Sequence, residues 1–103
     1  MPKHKEVYAL YDPRDNLARY VGISWNAYHR FRDHLQLAKA DQRLYNWIRE
    51  LLSLDLQPEL KIVVRVPLDK FGYPPTLQAY GAEKDIIRRL LTDGHPLFNV
   101  DLG

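Results

Sequence analysis

The chain contains no cysteine. Disulfides and thiolate metal sites are therefore excluded, and the composition suits a reducing compartment. No apolar run is long enough to span a bilayer and the opening MPKHKEVYAL carries no signal-peptide pattern, so a soluble intracellular protein without a membrane partner is expected. A Gly-rich phosphate loop, a G-x-S-x-G elbow and a thiol nucleophile are all missing, which argues against nucleotide hydrolysis and acyl transfer. Repeats, low-complexity tracts and linkers are absent, apart from the turn-rich DKFGYPP at residues 69–75. The 103 residues are expected to form a single domain, 1–103, large enough for a core without extra staples.

Charge of one sign is also scarce, with a net of only +2. Its distribution says more: residues 1–52 carry +3 and residues 53–103 carry −1. A nucleic-acid partner is thus permitted, with the first half as its contact surface, although charge alone does not select one.

The apolar pattern supplies the elements. EVYALY and LARYVG are rich in strand formers and flank the turn signal DPRDN, which reads as a hairpin. Ala27, Phe31 and Leu35 recur at helical spacing behind Asn26, a good N-cap. A second helix over DQRLYNWIRELLSL would be capped by Asp41 and place Leu44, Trp47, Ile48, Leu51 and Leu52 on one stripe. LKIVVRV alternates, with Leu60, Ile62, Val64 and Val66 expected on one face and Pro67 closing the strand. A last helix, from about Leu77 to Thr92, is stopped by Gly94 with Pro96 beyond. The fold class expected is α/β in the α+β sense: a small, mainly antiparallel three-stranded sheet packed against about three helices.

Four features stand out against this frame. If the loop spans Asp12 to Asn16, Tyr11 pairs with Leu17, and Tyr8 lies opposite Tyr20 on the same face. Such a pair is a common sheet stabiliser as well as a candidate pair of catalytic phenols. Gly22, just beyond Tyr20, is either a strand end or a place where another group comes close. Arg30 and His34 stand one turn apart at the rim of their helix's buried face, positioned to reach the sheet or simply to be solvated. Glu83 is the sharper anomaly, because it falls on its helix's apolar stripe with Ala79, Tyr80, Ile86 and Ile87. An unpaired buried carboxylate is costly, so Glu83 calls for a cation, a hydrogen-bond donor or a metal ion. A lone carboxylate suits magnesium, which keeps most of its waters. His4, His29 and His95 show no ligand spacing.

Taken in order, these residues resemble the catalytic domain of the GIY-YIG nuclease family. EVY (Glu6 to Tyr8) stands in the place of the first motif and YVG (Tyr20 to Gly22) in that of the second, with eleven residues between the two tyrosines. Ser24 then occupies the small hydroxyl position, Arg30 the helix arginine and His34 the histidine one turn later. AEKDIIRRLLTDGHPLFNV looks like the family's metal-binding glutamate helix, Gly turn and closing asparagine, which assigns Glu83 and Asn99. The likeness runs from Tyr8 to Asn99 and rests on order and spacing together. Glu6 departs from the motif's glycine, and Val7 and Val21 replace isoleucine.

The resemblance implies a metal-dependent DNA endonuclease that hydrolyses phosphodiester bonds. Glu83 would hold Mg2+ or Mn2+, Arg30 the scissile phosphate, and Tyr8 with His34 would activate water. Tyr20 would bond the phosphate or nucleophile, Gly22 and Ser24 would border the substrate, and Asn99 would support the site structurally. DNA is the implied partner. Members of the family usually borrow specificity from a second domain, so the resemblance leaves three routes to targeting: a further DNA-targeting domain, a protein partner, or a stand-alone domain that reads only shape and backbone charge. The sequence carries no signal for an oligomeric state. Lys39, Arg43 and Arg49 read as a solvated helix face that a duplex can also meet. Two other classes compete: a catalytically silent nucleic-acid-binding module on the same scaffold, and a small interaction domain whose tyrosines and Glu83 are structural.

Overall fold

The computed structural model describes residues 4–36, 43–67 and 76–98, with no side-chain description at 76 and 77. Strands β1 (His4–Asp12), β2 (Leu17–Ser24) and β3 (Glu59–Pro67) form an antiparallel sheet in the order β2-β1-β3. Helices α1 (Ala27–Gln36), α2 (Arg43–Ser53) and α3 (Thr76–Thr92) complete the α+β fold expected from the sequence. None of the described helices is long and apolar enough to cross a membrane.

The core lies on both faces of the sheet. Tyr8 and Leu10 pack with Ala27 and Phe31 of α1 and with Leu44, Trp47, Ile48 and Leu51 of α2. Val7, Ala9, Ala18 and Val21 pack on the other face with Ile87 of α3 and Leu97. Every residue of β1 from Glu6 to Leu10 is consequently buried, as expected for a central strand covered on both sides.

The hairpin differs from the expected register in two places. Asp12 pairs with Leu17 and Tyr11 with Ala18, so the loop is one residue shorter than read. Asn16 closes it in the left-handed region (φ 60°), donating its N–H to the Asp12 carbonyl at 2.7 Å. A bulge follows, taking the pairing from Tyr11↔Ala18 to Leu10↔Tyr20. The two one-residue offsets add up to two, so Tyr8 faces Gly22 instead of Tyr20, and both phenols keep a common face.

A second bulge corrects the reading of β3. Ile62 pairs with Tyr8 but Val64 pairs with Val7, so Val63 is the extra residue and the strand switches faces there. Leu60 and Ile62 join the α1/α2 side, while Val64 and Val66 lie on the opposite face with Val7 and Lys5. Of the α2 stripe, Leu44, Trp47, Ile48 and Leu51 are buried and Leu52 is exposed, because it falls at the outer margin of the stripe. Asp41, the expected cap of α2, lies outside the described residues, as do Lys39 and the stretch 69–75.

The helix ends follow local chemistry. Asn26 caps α1 as expected, its Oδ1 accepting the His29 N–H at 3.0 Å. Gly94 ends α3 in the left-handed region (φ 90°), with His95 N–H bonded to the Leu90 carbonyl and Gly94 N–H to that of Leu91. The same two-bond closure ends α2, where Leu56 reaches Leu51 and Asp55 reaches Leu52. There the left-handed position is held by Asp55 (φ 59°), a residue type that tolerates it.

Candidate active site

The site begins with β1 and β2. Tyr8 points to the α1/α2 side, and its ring crosses to β2 over Gly22, the only residue type that leaves room for it. Tyr20 stands two positions back on β2, its ring centroid 6.3 Å from that of Tyr8. From α1, His34 closes over both: its Nε2 lies 3.1 Å from the Tyr8 hydroxyl, and the Tyr20 ring meets its imidazole edge-on at 5.7 Å. Tyr45 of α2 covers the other side, its hydroxyl 3.5 Å from His34 Nδ1. His34, expected at the rim, is therefore only 1% exposed, enclosed by the rings of Tyr8, Tyr20 and Tyr45.

Burial sets the protonation states. It pushes Tyr8 far above the ordinary phenol range; Tyr20 adds to the rise and the Arg30 guanidinium opposes it. Burial also raises Tyr20, with Arg30 opposing and Glu83 and Tyr45 adding. His34 is held down to about 4, first by burial and then by Arg30, against a small contribution from Asp33. At neutral pH the site thus holds neutral phenols and a neutral imidazole. With Nε2 bare, His34 accepts the Tyr8 proton and donates from Nδ1 to Tyr45; the other tautomer reverses both bonds.

A cleft of about 370 Å³ opens on this cluster, lined by Tyr20, Arg30, His34, Arg43, Leu44, Tyr45 and Phe98. Arg30 is exposed on α1, and Arg43 is exposed at the first residue of α2. Neither forms an ion pair among the described residues. A neutral hydrogen-bonding wall flanked by two guanidinium groups is suited to an anion.

Glu83 lies on α3, which packs on the opposite face of the sheet from Tyr8, and it is linked to the cluster through its charge on Tyr20. Burial raises its carboxyl above the usual range, Lys84 pulls it down, and its charge in turn raises Tyr20. The salt bridge that its apolar surroundings suggested is not found among the described residues. A half-buried oxygen donor without a cation fits a magnesium ion held by few protein ligands. No group of three His, Asp or Glu residues that could hold a metal occurs among the described residues, so any ion at Glu83 would be held by few of them.

Of the remaining expected residues, Ser24 takes a supporting place. Ser24 accepts the Asn26 N–H at 3.1 Å and bonds the Asn26 carbonyl, which fixes the entry to α1. Asn99 lies outside the described residues. Arg49, on α2, bonds Asn46 at the surface. Sequence reasoning missed the roles of Tyr45 and Phe98, and of Glu6. The Glu6 Oε1 accepts the Ala27 N–H at 2.7 Å, and its Oε2 meets Arg65 Nε at 3.0 Å, so a carboxylate from β1 caps α1. The available signal was of the same kind as the one that singled out Glu83: an acid embedded in an apolar element, here a strand and there a helix. Comparison with protein-family models, curated proteins and solved structures finds no match for this chain.

Proposed function

We propose that this chain is a GIY-YIG-type endonuclease that hydrolyses DNA phosphodiester bonds with the help of Mg2+ or Mn2+. The observation that carries the reading is the convergence of Tyr20, His34 and Arg30 on one anion-suited cleft, with Tyr8 buried behind them and bonded to His34, and with Glu83, without an ion-pair partner among the described residues, acting on Tyr20 through its charge. A purely structural cluster has no use for two arginines at its mouth that lack an ion pair among the described residues, or for a half-buried carboxylate without one on α3.

Each residue has work in such a reaction. Arg30 holds the scissile phosphate through charge-assisted hydrogen bonds. The bound anion offsets the Arg30 charge that depresses His34, so His34 becomes a better proton acceptor once substrate is in place. Tyr8 orients the attacking water, accepting its proton as its own passes to His34 Nε2, 3.1 Å away. Tyr20 donates to a phosphate oxygen from the cleft wall. Gly22 and Ser24 act by placement, one making room for Tyr8 and the other fixing the start of α1. Glu83 would hold the divalent ion, which supplies Lewis-acid stabilisation of charge on the phosphate when bound.

The test is cleavage of supercoiled, linear, branched and single-stranded DNA in magnesium or manganese by the parent and by Glu83→Ala. The parent is expected to cut at least one form and Glu83→Ala to cut none. Binding without cutting would replace this reading with a silent nucleic-acid-binding module. Absence of cutting, binding and metal affinity would leave a small interaction domain.

A further inference from the structure

The cleft does not end at Arg30. A second cleft of about 570 Å³, lined by Arg14, Arg19, Asn46, Trp47 and Glu50, adjoins it, and the two share Arg43 and Phe98. The arginines of this second cleft differ in how they are held. Arg14 is tied to Asp12 and Glu50, and Arg19 to Asp15 and Asp12. Arg43 is on the shared wall and has no acidic partner among the described residues. It faces the same cleft as Arg30, so the two like charges repel until an anion enters.

We propose that Arg43 binds a second backbone phosphate of the same nucleic-acid strand, adjacent to the one held by Arg30. The strand then continues from the reactive cleft past Phe98 into the groove of Arg19 and Arg14. This rests on the endonuclease reading only for the identity of the first phosphate. Arg43 contacts substrate away from the reacting atoms, so its energy is expressed in binding and not in the chemical step. The substrate class is accordingly a polynucleotide, not an isolated phosphodiester.

The experiment measures binding of a short labelled DNA duplex across a range of salt concentrations, in a Glu83→Ala background that holds the DNA uncut. Adding Arg43→Ala should weaken binding about five- to tenfold and reduce the slope of log affinity against log salt by about 0.9. Arg43→Lys, which keeps the charge, should restore the slope. With Glu83 intact, Arg43→Ala should raise KM and leave kcat near the parent value. An unchanged slope, or a fall in kcat at constant KM, overturns the proposal; an unchanged unfolding midpoint excludes misfolding as the cause of any loss. A parent that binds with an Arg43-dependent slope but cuts nothing overturns the endonuclease reading and leaves the phosphate contact standing.

Discussion

The Tyr8 ring lies across Gly22 on the neighbouring strand so closely that a Cβ there would stand 2.6 Å from both the ring and the hydroxyl oxygen. The same Cβ would also come within 3.0 Å of the Tyr20 ring. Space, not backbone conformation, is what this position requires of glycine. Because Tyr8 is buried and its hydroxyl is bonded to His34, its ring has no open direction in which to retreat. One missing side chain thus allows two phenols and an imidazole to share a site.

Gly22→Ala is therefore expected to break the Tyr8–His34 bond while leaving the sheet paired. Overpacking of this kind costs about 1–3 kcal/mol. Denaturant unfolding should show that loss, and the His34 imidazole signals in an NMR spectrum should move. A Gly22→Ala variant with parental stability and unmoved His34 signals would mean that the ring is not confined as described.

The depressed basicity of His34 makes a prediction about acid. Unfolded, the imidazole titrates near 6.5; folded, it titrates near 4. Between those values the unfolded chain binds more protons, so stability falls as pH drops through this window and the contribution levels off below it. The full effect is roughly 3 kcal/mol from this group. His34→Gln should remove that limb from a plot of unfolding free energy against pH between about 6.5 and 4. A second consequence concerns substrate: if an anion at Arg30 relieves the electrostatic depression, NMR titration with a phosphodiester analogue should raise the His34 pKa.

How much of this could be read in advance depended on whether the cause was local. The Asn26 cap, the Gly94 stop and the Leu44, Trp47, Ile48, Leu51 stripe are set by neighbours within a turn or two, and the sequence displays them directly. The bulge at Val63 is invisible because Ile62, Val63 and Val64 are all apolar, so either alternation fits. Tyr8, Tyr20, Arg30, His34 and Glu83 stood out through spacing and misplaced polarity. Arg43 and Tyr45 enter the site only because the start of α2 comes to His34, a tertiary placement that no short-range pattern encodes. Asp12 was legible as a turn residue but not as the buried anchor that accepts the Trp47 indole N–H at 2.9 Å and three groups of Arg14, its backbone N–H, Nε and Nη2.

Glu83→Gln separates stability from metal binding. Burial raises the carboxyl above its usual range, so keeping it ionised at neutral pH costs folding energy. The amide is therefore expected to match or exceed the parent's thermal stability without metal. Magnesium or manganese should raise the unfolding temperature of the parent and leave that of the Gln variant unchanged. A parental protein indifferent to both ions would remove Glu83 from any metal role.

Glu6 offers the clearest contrast between a cap and an ion pair, because its two carboxylate oxygens serve separate partners. Burial raises its pKa, but the Ala27 N–H and Arg65 more than offset this and hold it below the ordinary carboxylate range. A depressed acid contributes stability above its unfolded pKa of 4.5, and that contribution is lost as pH falls through the lower folded value. Arg65 is 57% exposed, so its ion pair is worth little, about 0–1 kcal/mol. The bond to Ala27 is buried and closes an otherwise unsatisfied donor at the start of α1, a cap worth about 1–2 kcal/mol. Glu6→Gln keeps an acceptor for Ala27 and is expected to lie within about 1 kcal/mol of the parent, with a shallower acid limb. Glu6→Ala loses both partners and should fall further, by about 1–3 kcal/mol in denaturant unfolding. If Gln were as damaging as Ala, the ion pair and not the cap would be what holds α1 to β1. If both were silent, the start of α1 would be held by Asn26 and Ser24 alone.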